Sequence, residues 1–204
     1  MKSSPREVGL GPREVVLAIV VYCAVVLAFT AIGIFVAPRS AQIGITRPAD
    51  TIPFHLAELA LAGLLLGVGS AVLYGRKGLP LVILAPVLTV LLDLDHLPAY
   101  LGMSQTIRPA HSIVFVVVVL AITAITIKRL DIDLVVLSAT FAHMGIDMGL
   151  FAPFSPISFG YVLLDPYRIP FLTAAVVCAV AAGIALRREG THEVDSPIGL
   201  VDHA

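Results

Sequence analysis

Eight ionisable side chains sit within four otherwise apolar stretches of this chain: His55 and Glu58; Asp93, Asp95 and His96; His111; and His143 with Asp147. The spacings of three (His55–Glu58, Asp93–His96) and four (His143–Asp147) put each pair on one face of a helix. Ionisable groups at membrane depth are expensive and are retained with a partner, an ion or a proton path. Imidazoles mixed with carboxylates form the donor set of borderline divalent ions such as Zn²⁺, which takes three protein ligands and keeps one open position in catalytic sites. On this reading His55, Asp95, His96, His111, His143 and Asp147 are the candidate metal ligands. Asp93 and Glu58 are candidates for general acid–base work. Arg108, three residues before His111, is placed to hold a phosphate through paired hydrogen bonds.

Each group also has a plainer explanation. Asp93, Asp95 and His96 could form a polar cap at a membrane surface. Glu58 could complement the dipole at a helix start. His143 could make a packing hydrogen bond to a neighbouring Ser or Thr such as Ser112. His111 is ordinary when taken alone. The tail histidines His192 and His203 lie in a polar segment and read as solvated.

The elements that must carry these groups can be read from composition. The 204 residues are 58% hydrophobic and only 13% charged, against about 25% charged in a soluble domain. The net charge of -1 leaves no basic excess for nucleic acid. Cys23 and Cys178 lie in apolar runs and read as packing residues. Lys2, Arg6 and Arg13 precede an apolar run as in a signal peptide, but residues 15–37 run 23 residues without a charge. A signal core is about 7–15 residues long, so this run predicts a retained first helix. The remaining spans are predicted at 53–74, 79–97, 111–127, 132–150 and 169–186. Backbone groups in hydrocarbon must bond internally, which makes these runs helices. The expected fold is therefore all-α: one polytopic transmembrane domain over residues 1–188, a bundle of about six helices, with a flexible polar tail at 189–204.

Lys and Arg placement orients the bundle. With the N-terminus inside, Lys2, Arg6, Arg13, Arg76, Lys77, Lys128, Arg129, Arg187 and Arg188 are cytoplasmic, while Arg39, Arg47, Arg108 and Arg168 are outside. Nine against four predicts a multi-pass protein of the cell membrane with both termini cytoplasmic. The start of span two, the end of three, the start of four and the end of five then share the outer side. Those are the ends that bear the polar groups. In the third span, Leu79 to Leu92 reaches only about 21 Å, short of a core about 30 Å thick. The helix must continue through Asp93, Asp95 and His96, with Asp95 off the shared face unless Pro98 unwinds this end.

Leu92-Asp93-Leu94-Asp95-His96, Arg108-Pro109-Ala110-His111-Ser112 and His143-Met144-Gly145-Ile146-Asp147 together resemble the YdjM-like family of small membrane-bound metal-dependent hydrolases. That family has an upstream His, then a Pro-Asp-x-Asp segment, a central segment of His, Arg, Gly, Thr, His and Ser, and a His-x-x-x-Asp segment. His55, Asp93, Asp95, Arg108, His111, Ser112, His143 and Asp147 match it. The stretch Pro153-Phe154-Ser155-Pro156 is also similar to the Pro-rich segment that family carries after its last motif. Leu92 stands in place of the Pro, Ile107 of the central segment's first His, Pro109 of its Gly and Ala110 of its Thr; His96 offers a substitute imidazole. The resemblance covers about residues 53–160 and implies a metal-dependent hydrolase.

The expected function is thus a membrane-embedded hydrolase using a divalent metal ion, with zinc the expected one. Its substrate would be a phosphoester or a lipid-linked molecule near the outer leaflet. The aromatic segment 151–168 is placed to gate lipid entry at the interface. The alternative is a proton- or cation-translocating protein built on the same His/Asp cluster.

Overall fold

The computed structural model describes residues 10–36, 52–75, 78–101, 109–147 and 165–192. These residues are helical, and no strand forms among them. In chain order the helices are α1 (Pro12–Val36), α2 (Ile52–Tyr74), α3 (Leu79–Leu91), a short α4 (Leu97–Tyr100), α5 (Ile113–Thr126), α6 (Leu130–Asp147) and α7 (Asp165–His192). Two 3-10 segments, Leu92–His96 and Pro109–His111, join α3 to α4 and lead into α5. The all-α bundle expected from the apolar runs is the fold observed.

Four helical stretches are long and apolar enough to cross a membrane: Pro12–Phe35, Ile52–Tyr74, Leu79–His96 and Arg168–Arg187. The other two long helices fall short of this, one by length and one by charge. α5 has 14 residues, about 21 Å of rise. α6 has 18 residues but carries Asp131, Asp133 and Asp147. Side-chain placement is inverted relative to a water-soluble protein. Phe35, Val72, Ile125 and Ile169 are each more than 70% exposed, while Asp93, Asp95, Asp131, His143 and Asp147 are buried. Hydrocarbon as solvent selects that distribution.

Close packing comes from small residues. A Cβ on Gly63 would lie 2.5 Å from Pro86 Cα, and one on Gly67 would lie 2.5 Å from the Leu81 carbonyl oxygen. Gly63 and Gly67 form a G-x-x-x-G pair that lets the α2 backbone rest against α3. The connection is short: Gly75 closes α2 with φ +79° and its N–H donates to the Ala71 carbonyl. On the other side of the bundle, α6 packs against α7, with Ser138 donating to the Ala175 carbonyl at 2.8 Å and Gly145 against Leu172. α3 also packs on α6, and α1 covers α3 and α5. The start of α2, the end of α3, the start of α5 and the end of α6 thereby meet at one level.

Candidate metal centre

Local backbone geometry explains how each polar group reaches this level. α3 gives way at Leu92 to a 3-10 turn, which has three residues per turn and places residues i and i+3 directly above one another. Asp93 and His96 therefore share a face, and Asp95 takes another; all three are buried. This tightening turns both aspartates inward, which a regular helix does not allow. His111 ends the second 3-10 segment, immediately before Ser112 caps α5. The Ser112 hydroxyl accepts from the Phe115 N–H at 3.2 Å and donates to the Pro109 carbonyl at 2.6 Å. With both its roles used, Ser112 is a helix cap and not the partner of His143. His143 and Asp147 lie one turn apart on the buried side of α6, and His55 is buried in the first turn of α2.

The imidazoles are oriented from behind. His143 Nδ1 lies 2.7 Å from the Thr89 carbonyl oxygen, a group that only accepts, so Nδ1 carries the proton and donates. His111 Nδ1 lies 2.9 Å from Asp95 Oδ2 and donates in the same way. In each neutral ring the remaining nitrogen, Nε2, then bears a lone pair. The two Nε2 atoms are 3.0 Å apart, and Asp147 Oδ2 lies 3.4 Å from that of His111 and 3.6 Å from that of His143. Three potential ligand atoms thus face one point, where a shared proton or a metal ion would relieve their repulsion. Ligand atoms around a tetrahedral ion at 2.0–2.1 Å are roughly 3.3–3.4 Å apart, and the observed edges bracket that spacing. The carboxylate or carbonyl behind each imidazole is the usual support for a metal-binding histidine.

The cluster extends beyond this trio. His55 Nε2 lies 3.2 Å from Asp147 Oδ1 and 3.6 Å from Asp93 Oδ2. His96 Nε2 lies 3.3 Å from Asp93 Oδ1 and 4.0 Å from Asp95 Oδ1. Three groups meet the spacing that a metal ion needs: His111, His143 and Asp147; His55, Asp93 and Asp147; and Asp93, Asp95 and His96. Seven of the nine candidate residues therefore converge. Of the other two, Glu58 lies on the exposed surface of α2, one turn from His55 and outside the cluster, and Arg108 lies outside the described residues. The segment at 151–164 also lies outside them.

Two contributors carry no signal that residue type could give. Thr89 acts through its carbonyl, one of the last four of α3, which a helix end leaves without an intrahelical donor. Tyr22 of α1 hydrogen-bonds Thr140, one helical turn before His143, at 3.0 Å and stacks edge-on against Phe115. A pocket of about 210 Å³ opens between α2 and the end of α3, lined by Leu56, Val90, Leu91, Leu94, Leu97 and Asp93. Asp93 is the single polar residue in that lining, and its carboxylate oxygens are buried, so the pocket wall is apolar.

No family model matches the chain, and neither a curated protein nor a solved structure matches it.

Proposed function

We propose that the protein is a membrane-embedded hydrolase whose His/Asp cluster holds a divalent metal ion, zinc being the expected one. The observation that carries this reading is the shared aim of two imidazole lone pairs and one carboxylate oxygen, with both rings held from behind. A divalent ion held there would bring the pKa of a bound water towards about 7 and polarise a phosphoryl oxygen. His111, His143 and Asp147 would hold it, and Asp95 orients His111. Asp93, with Oδ1 3.7 Å from His143 Nε2, is placed to move a proton between water and leaving group. In the net reaction the water oxygen bonds to phosphorus, the ester P–O bond breaks, and the leaving oxygen takes the proton.

The apolar pocket beside the end of α3 would suit the chain of a lipid-linked phosphoester among its leucines. Arg108 adds a phosphate contact in this proposal. The chain crosses the cell membrane several times, with both termini cytoplasmic and the cluster towards the outer leaflet, as the Lys and Arg bias implies. The motif resemblance to the YdjM-like family implies the same reaction class. Proton or cation translocation would need the polar path to continue inward. Ten residues of α6, about 15 Å, separate His143 from Asp133, and that buried face is mainly Val136 and Ala139 with Thr140 tied to Tyr22.

Metal analysis of detergent-purified protein tests the reading. The wild type should retain a divalent ion, and His143→Ala should lose most of it. Negligible metal in both overturns the hydrolase. Hydrolysis of phospholipid or phosphodiester probes, set against ion flux in proteoliposomes, separates the two reaction classes.

A further inference from the structure

Two of the buried carboxylates face two ways. Asp147 directs Oδ2 to the His111 and His143 side, at 3.4 and 3.6 Å, and Oδ1 to His55, at 3.2 Å. Asp93 divides similarly, with Oδ1 3.7 Å from His143 Nε2 and Oδ2 3.6 Å from His55 Nε2. Asp147 therefore offers one oxygen to the paired imidazoles and the other to His55, while Asp93 groups with His55 and approaches His143 alone of the pair. His55 stands apart from that pair: its ring centroid is 6.3 Å from that of His143, whereas those of His111 and His143 are 4.9 Å apart. A single ion on the paired side would leave His55 and the two facing oxygens without a role.

Charge leads to the same arrangement. Asp93, Asp95 and Asp147 are all buried, and with neutral imidazoles they bring three negative charges into low dielectric. One divalent ion leaves that pocket net negative, which repels a phosphate ester. Two leave it net positive, which attracts one.

We propose that the cluster is a dinuclear centre bridged by Asp147, with one cation on His111 and His143 and the second on His55 and Asp93. This rests on the hydrolase reading above and makes it specific. Paired ions about 3.5–4 Å apart clamp the attacking and departing oxygens of an in-line displacement at phosphorus, so the substrate class is an anionic phosphate ester. His96, against Asp93 Oδ1, steadies that ligand of the second ion.

The test uses the full chain in detergent, reconstituted with Mn²⁺, desalted, and measured for metal per chain and by electron paramagnetic resonance. Two ions per chain with a spin-coupled signal are expected for wild type. His55→Ala should retain one ion and show the signal of an isolated Mn²⁺. One uncoupled ion in wild type, unchanged by His55→Ala, overturns the dinuclear centre and leaves the hydrolase reading standing. No ion in wild type overturns both. Should His55→Ala fail to fold, His55→Gln and the wild-type coupling signal decide the matter.

Discussion

Asp95 shows how one carboxylate can serve a site from behind another side chain. Its Oδ2 fixes the proton on His111 Nδ1 and so turns the other ring nitrogen towards the cluster. Removing that charge in Asp95→Asn should lower metal affinity about 10–100-fold, read by competition with a chelating dye, while the protein stays folded. Sequence places Asp95 among the metal ligands, and it lies in one of the groups that could hold an ion, but residue type does not show that it also stands behind His111. The pairing of His143 with Asp147 was legible from their spacing of four. The Thr89 carbonyl was not, because a backbone acceptor leaves no mark in the side chain that carries it. Glu58 had a plausible spacing from His55, but its position on α2 falls on the exposed surface.

At the scale of the element, the α2–α3 pair sets the distance between His55 and Asp93. Gly63→Ala would push a methyl into the Pro86 backbone at 2.5 Å, where nothing flexible can yield. A loss of about 1–3 kcal/mol is expected, seen as a lower midpoint in detergent unfolding together with reduced metal retention. Gly69 supplies the opposite control: a Cβ there meets nothing within 4 Å, and Gly69→Ala should be neutral or stabilising by up to about 1 kcal/mol. The helices were readable because unbroken apolar runs bounded by Gly, Pro and charge leave few alternatives. The 3-10 turn at Leu92–His96 was only half visible: span length required the polar groups to lie within the helix, and Pro98 hinted at unwinding. Which way each aspartate points depends on packing against α2 and α6.

For the whole molecule, buried carboxylates and imidazoles that hold an ion as proposed would couple metal binding to folding. Stripping metal with a chelator should therefore lower the unfolding temperature. At ion concentrations about 100 times Kd the stabilisation is about 2.7 kcal/mol, or roughly 5–11 °C for a chain of this size, and readdition should restore it in a thermal melt. Sequence located the level at which the groups meet, because successive spans alternate in direction and bring the polar ends of four of them together. It could not show that the carboxylates divide between two sets of imidazoles, since that depends on how four helix ends are rotated about their axes.

Those helix ends have one more effect. The aspartates lie at the carbonyl-rich ends of α3 and α6, and His55 and His111 lie at the amide-rich starts of α2 and α5. Backbone dipoles disfavour an ionised acid at the first kind of end and a protonated base at the second, by about 0.3–1 kcal/mol each. The carbonyl-rich ends thus favour positive charge at the cluster. Working as proposed, the cluster would admit an ester anion only once the ions are in place, so loading would be ordered: ions first, ester second.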